Sequence, residues 1–207
     1  LISKEGKDDM RELISNTTTY SDLLPMFPSI KVHLEYLIDF VPAIKPRLYS
    51  IASAPEMHPN KIQLCVVEED WVTPKGEQRH GQSTWFLRNM KPGKKWSESY
   101  NSNVEQPEAP FGTVSAAEAP QAPIRVNPAV VHVPDSLKTP LIMVGLGTGM
   151  APFRSFIQQR HHAREQGLEV GPMLLYFGGR YGATEFLYGD EIQDYHKDGL
   201  VTDLKTA

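Results

Sequence analysis

The predicted fold class is α+β followed by α/β. A small antiparallel β-barrel or sandwich sits behind a helical stretch, and a partial Rossmann-like βαβαβ half of parallel strands follows it. Three observations predict this. Short β-rich runs recur between turn clusters from Lys45 to about Trp96. Strand and helix patterns alternate from Pro140 to Ala207. A glycine triplet falls where the first of those strands passes into a helix. With 207 residues, the chain has room for one large domain or two small ones and buries a core without staples.

The helical stretch covers residues 1–44. Asp8 to Ile14 reads as a polar helix with few breakers. Ser29 is placed to cap a helix from Ile30 to about Phe40, because its hydroxyl accepts a free first-turn N–H. Leu34, Leu37, Ile38 and Val41 then share one face. Pro42 and Pro46 stop that helix.

The β-rich part covers residues 45–137. Arg47 to Ala52 alternates as a strand, Pro55 to Asn60 is a turn cluster, and Ile62 to Val67 is a strong β run. Pro74-Lys75-Gly76 is a hairpin-type turn, Ser83 to Met90 a short helix, and Pro92-Gly93 another turn. Residues 97–123 hold 4 Pro, 5 Ala and 4 Glu with no Lys or Arg. Only Val104 and Val114 are larger aliphatics there, too little apolar surface to offset ordering entropy, so a flexible surface insertion is expected.

The last part covers residues 138–207. Leu141 to Gly145 reads as a buried strand, and Pro152 to Gln166 as a helix with Phe153, Phe156 and Ile157 on one face. Met173 to Gly178 is a second strand. Thr184 to Lys197 is a second helix capped by Thr184, with Gly199 as its terminating glycine. Leu200 to Leu204 is a third strand. This βαβαβ order requires parallel pairing and right-handed crossovers, and it is one mononucleotide-binding half. The pattern stops at its third strand and the sequence opens at Leu1, so it reads as an internal piece of a longer chain.

Charge and composition exclude several function classes. Lys and Arg total 21 against 25 Asp and Glu, a net charge of −4, without the basic face that nucleic acid requires. No apolar run approaches the roughly 18 residues of a membrane span. The single cysteine, Cys65, rules out an internal disulfide framework and a cysteine-rich zinc site. It fits a reducing intracellular compartment, most simply the cytoplasm, and there is no signal-peptide or lipidation motif.

Three segments carry chemistry. The first is Gly145-Leu146-Gly147-Thr148-Gly149-Met150-Ala151-Pro152-Phe153. Its glycines let backbone approach a pyrophosphate, and the free N–H groups and dipole at the helix start favour an anion. Pro152 suits the first turn, where an N–H is unpaired anyway. A third fingerprint glycine is absent, and alone the triplet is equally a tight turn. The second segment is Arg47-Leu48-Tyr49-Ser50, which combines a planar phosphate fork, an aromatic face and a hydroxyl. Alone it reads as an edge strand. The third is Gly81-Gln82-Ser83-Thr84, opening a helix, and alone it reads as a plain N-cap.

In this order, the three segments resemble the ferredoxin-NADP reductase superfamily, and its two-flavin branch in particular. The resemblance extends to His58-Pro59-Asn60, the strand around Cys65, Tyr176-Phe177-Gly178-Gly179-Arg180 and Phe186-Leu187-Tyr188. Residues 1–44 resemble the end of the helical insert that separates the FAD and FMN domains of that branch.

The resemblance implies FAD and NADP(H) as cofactors, with FMN in a domain outside this sequence. It implies that Arg47 binds the FAD pyrophosphate, that Tyr49 beside Leu48 stacks on the flavin, and that Ser50 is the catalytic hydroxyl near flavin N5. Cys65, Val66 and Val67 would line the flavin, and Trp71 would pack near its adenine end. Gly81, Gln82, Ser83 and Thr84 would hold the pyrophosphate, although Gln82 is unusual there. Gly147, Thr148, Gly149 and Pro152 would hold NADP, with Arg180 near its phosphates.

The implied activity is NADPH-dependent hydride transfer to FAD, with single electrons passed on to FMN or another redox acceptor protein or domain. The family's later elements are not in this sequence: a cysteine and an acidic residue beside the nicotinamide, a Ser-Arg pair reading the 2′-phosphate, and a terminal aromatic. The fragment alone is therefore expected to be incomplete, and Cys65 is not that cysteine. A catalytically silent reductase-like module of a larger assembly remains the alternative. An FAD-only ferredoxin reductase is disfavoured by the helical start. His161-His162, Asp8-Asp9 and Glu68-Glu69-Asp70 read as solvated surface, since adjacent helix positions point about 100° apart.

Overall fold

The computed structural model describes residue 3, residues 6–90 and residues 124–207. The predicted insertion at 97–123 and the Pro92-Gly93 turn lie outside the described residues. The chain divides into two compact units, Leu1–Arg47 with Glu68–Ala122, and Leu48–Val67 with Pro123–Ala207. Its described residues form a mixed α/β structure with one two-stranded and one three-stranded sheet.

The first unit holds α1 (Lys7–Ser15), α2 (Tyr20–Met26), α3 (Leu34–Phe40), β1 (Asp70–Val72), β2 (Gln78–His80) and α4 (Gln82–Asn89). The predicted polar helix forms α1, and the predicted short helix forms α4. Helix α2 was not predicted. Thr19 opens it with a capping box, accepting from Asp22 N–H at 3.4 Å and donating its own N–H to Asp22 Oδ2 at 2.9 Å.

The helix expected from Ile30 begins only at Leu34, with His33 and not Ser29 at its N-cap. Ile30 N–H is instead used in a turn, donating to Phe27 O at 2.9 Å. Helix α3 ends at Phe40, just before Pro42, as the prolines require. Its apolar stripe is largely open: Leu34 is 79% and Ile38 80% exposed.

The hairpin forms where Pro74-Lys75-Gly76 predicts a turn, in the register Trp71↔Arg79, with Gly76 at φ +82. Polar contacts join it to the helices. Lys75 N–H donates to Asn16 Oδ1 at 3.1 Å, and Lys75 Nζ pairs with Glu12 at 2.8 Å. Arg79 Nη2 reaches Asp22 Oδ2 at 2.9 Å.

The second unit holds β3 (Leu141–Leu146), a 3-10 turn (Gly147–Gly149), α5 (Met150–Glu165), β4 (Met173–Gly178), α6 (Gly182–Glu185), α7 (Gly189–Lys197) and β5 (Asp203–Thr206). The strands are parallel in the order β3-β4-β5, the expected βαβαβ arrangement. Met143, Met150, Ile157, Met173, Leu175, Phe177, Ile192, Leu200 and Val201 form the core between sheet and helices.

Four expectations change here. Strand β3 is not buried on both faces, because Ile142, Val144 and Leu146 are 71%, 69% and 74% exposed. The single helix expected over residues 184–197 is broken into α6 and α7 by Phe186-Leu187-Tyr188, with Tyr188 in the left-handed region at φ +59. Thr184 therefore lies inside α6 and caps nothing. The third strand starts at Asp203, because Leu200 and Val201 turn into the core before it. Gly199 does end α7, at φ +73.

The two β runs read at residues 47–52 and 62–67 meet only in the antiparallel bridge Ile51↔Leu64, beside which Ala52 N–H donates to Gln63 O at 2.8 Å.

Candidate functional site

The glycine turn is built by close packing beneath it and open space above it. A Cβ on Gly145 would lie 2.9 Å from Phe153 Cε2, so glycine lets α5 settle on β3. Gly147 sits at φ +49, and a Cβ on Gly147 or Gly149 would meet nothing within 4 Å. No side chain caps the first turn of α5. The helix start lies at the carboxyl end of β3, where nucleotides bind in this sheet type, and its dipole favours an anion there. Thr148 and Gly149 are exposed and Pro152 is half-buried in the first turn. Arg180 is exposed beyond β4, its N–H donating to Glu185 Oε2 at 2.7 Å.

The same unit carries Leu48, Tyr49, Ser50, Cys65, Val66 and Val67. Leu48, Ser50, Val66 and Val67 are exposed, while Tyr49 and Cys65 are half-buried. The backbone just past Ser50 is fixed to α5. Arg154 Nη1 donates to Ala52 O at 2.7 Å, Ser155 Oγ to Ser53 O at 3.1 Å, and Ala54 N–H to Gln158 Oε1 at 3.1 Å. Residues 52–54, just past Ser50, are thus bonded to the helix that the glycine turn opens.

The first unit carries Arg47, Trp71, Gly81, Gln82, Ser83 and Thr84. Arg47 is exposed, its Nη1 donating to Lys45 O at 2.5 Å. Trp71 Nε1–H donates to Thr17 Oγ1 at 3.3 Å from β1. Gly81 is the N-cap of α4, and no side chain caps that helix. A Cβ on Gly81 would lie 2.8 Å from Thr84 Oγ1, so the turn admits only glycine without a shift. The Thr84 hydroxyl is spent locally, accepting from Glu69 N–H and donating to Gly81 O, both at 3.2 Å.

Both helix starts fit diphosphate groups in that each has a glycine N-cap and no side-chain cap.

Sequence reasoning missed Arg154, Gln158 and Glu191, and gave Tyr188 no role. The available signal was a polar pair at i,i+4, Arg154 and Gln158, on the side of the helix that carries Ile157. Glu68 is also paired and not merely solvated, since it binds Arg88 and lies 3.9 Å from His80 Nδ1.

The FAD binding domain family matches residues 1–86, and the oxidoreductase NAD-binding domain family matches residues 143–205. The chain is 33% identical, over 100% of its length, to the sulfite reductase (NADPH) flavoprotein component of Saccharomyces cerevisiae. It is 37% identical over 98% of its length to a pyruvate dehydrogenase (NADP(+)) of Cryptosporidium parvum, and 34% over 99% to the NADPH–cytochrome P450 reductase of Bos taurus.

The chain matches an FAD binding domain and an oxidoreductase NAD-binding domain in succession.

It spans 18%, 10% and 27% of those three relatives. No helix of the chain, among the described residues, is long and apolar enough to cross a membrane.

Proposed function

We propose that this chain supplies the FAD and nicotinamide-nucleotide sites of an NADPH-dependent flavoprotein reductase of the two-flavin branch. When bound, FAD would supply hydride acceptance from the nicotinamide and single-electron transfer onward, to FMN or to another redox acceptor protein or domain. The chain's own residues bind and orient. Arg47 and the α4 start, Gly81 to Thr84, grip the FAD diphosphate. Leu48, Tyr49, Cys65, Val66 and Val67 hold the flavin ring, Ser50 offers its hydroxyl at the reacting edge, and Trp71 packs at the adenine end. Gly147 to Gly149 and Pro152 receive the NADP diphosphate, with Arg180 beside it.

We read residues 1–44 as the end of a helical connecting segment and 45–137 as the FAD barrel with its insertion. Residues 138–207 are then the first half of the NADP domain. Closure of the barrel belongs to this reading.

The observation that carries it is the attachment of Ala52, Ser53 and Ala54 to α5, the helix that the glycine turn opens. Two redox rings must be held at near-attack distance, about 3–3.5 Å, and a shared helix is a rigid way to hold them. The test is the absorbance of the purified full protein. Bound oxidised flavin gives a band near ~450 nm, and NADPH should bleach it. Colourless protein that takes up no added FAD overturns the reading in favour of a silent module.

A further inference from the structure

Arg154 is 8% exposed, yet it carries a charge into the second unit. Buried charge is tolerated only when it is paired and its donors are used. Arg154 meets that demand with an unusual set of partners. Its Nε donates to Glu191 Oε2 at 2.7 Å. Its Nη1 donates to Ala52 O and to Gln63 Oε1, both at 2.7 Å. Its guanidinium lies 4.5 Å from the centre of the Tyr188 ring.

The other oxygen of the same carboxylate extends the grip. Glu191 Oε1 accepts from Gln158 Nε2 at 2.9 Å, and Gln158 Oε1 accepts from Ala54 N–H at 3.1 Å. Tyr188 also stands beside the second β run, at Cys65. A bulky residue at φ +59 is strained, and strain persists only where surroundings over-determine it. Helix α5, braced by Glu191 of α7, thus holds Ala52 and Ala54 on one side and Gln63 on the other, with Tyr188 at the entry of α7 facing Arg154.

Ordinary packing does not explain this arrangement. An apolar side chain would fill the same space without desolvating a guanidinium. What the polar set adds is register: directional bonds to successive backbone groups, set beside a helix whose first turn is the nucleotide turn.

We propose that Arg154, clamped by Glu191 and Gln158 and faced by Tyr188, is a positioning residue that sets the Tyr49-Ser50 segment against the Gly147–Gly149 turn for hydride transfer. The proposal rests on the reductase reading above. Arg154 touches neither ring; it acts through the backbone of Ala52.

The test compares Arg154→Lys with wild type and with Arg160→Lys, in the full-length protein. Lysine keeps the charge but loses the planar fork. Arg160 is a fully buried arginine of the same helix, whose Nη1 donates to Gly171 O at 3.0 Å away from the clamp.

Two readouts are taken: hydrogen exchange of the FAD-free protein, and NADPH-dependent bleaching near ~450 nm at saturating NADPH. In Arg154→Lys, exchange at Ala52 to Ala54 and at Gln63 should accelerate, and kcat should fall roughly tenfold or more, the scale on which a small misplacement acts. FAD affinity and KM for NADPH should stay close to wild type. In Arg160→Lys, thermal stability should fall with kcat unchanged. Where Arg154→Lys does not fold, the isosteric Glu191→Gln takes its place with the same expectations.

Unchanged exchange and kcat in a folded clamp variant overturn the proposal. An equal fall of kcat in Arg160→Lys overturns it too, because general loosening then accounts for the effect. A wild type that holds FAD but is not bleached by NADPH overturns the reductase reading instead, and with it this proposal's premise.

Discussion

Gly145 lies directly against Phe153: a Cβ on Gly145 would stand 2.9 Å from Phe153 Cε2 and 3.3 Å from Cδ2. The strand can approach α5 this closely only because that side chain is missing. Gly145→Ala should push the ring outward and tilt the glycine turn. We expect a loss of about 1–3 kcal/mol in urea unfolding, with weaker NADP binding by titration calorimetry. Wild-type stability and affinity would show that the ring moves aside freely.

Arg47 is exposed and holds only a backbone carbonyl, so its fork is available to a diphosphate. Arg47→Ala should weaken FAD binding by roughly tenfold or more, the worth of a charge-assisted hydrogen bond. Fluorescence titration of the apoprotein with FAD measures it. An unchanged affinity would remove Arg47 from the site.

Two tyrosines predict alkaline sensitivity. Burial, then the bond to Cys65, pushes Tyr188 up to about 12, and burial with the nearby Glu191 carboxylate pushes Tyr195 up to about 12. Unfolded tyrosine titrates near ~10. Between those values the folded state holds the proton more tightly, so stability is full below pH ~10 and falls as pH rises toward about 12. Unfolding monitored from pH 9 to 12 should show this slope, and Tyr188→Phe with Tyr195→Phe should flatten it.

The capping box of α2 predicts the opposite dependence in the first unit. Bonds from Thr19, joined by Arg79, hold the Asp22 carboxyl below its ordinary value. Its contribution is present above the unfolded value near ~3.9 and is lost as pH falls through the lower folded one. Thr19→Ala should cost about 1 kcal/mol, and Asp22→Asn should remove the acid-side slope. Denaturant titrations at pH 7 and pH 3 separate the two effects.

The sequence made the parallel sheet and its glycine turn legible, because alternation of strand and helix is local. Met173 to Gly178 is read and found with the same ends. The break at Tyr188 was not legible. Its ring faces Arg154, 34 residues earlier in the chain, which approaches it only once the chain is folded. Ile62 to Val67 looks like a strong strand, yet among the described residues it enters only one bridge, since pairing depends on what lies alongside. The clamp was the least legible feature. Arg154 and Ala52 lie 102 residues apart, and nothing local marks a buried arginine as distinct from a solvated one.

The bare side of β3 has a practical consequence. Ile142, Val144 and Leu146 form a greasy row on a strand that ends the sheet's order. Such a row recruits other molecules, so these residues prepared by themselves will clump as concentration rises. Light scattering will climb accordingly, and a single lysine at Val144 will keep the particles apart.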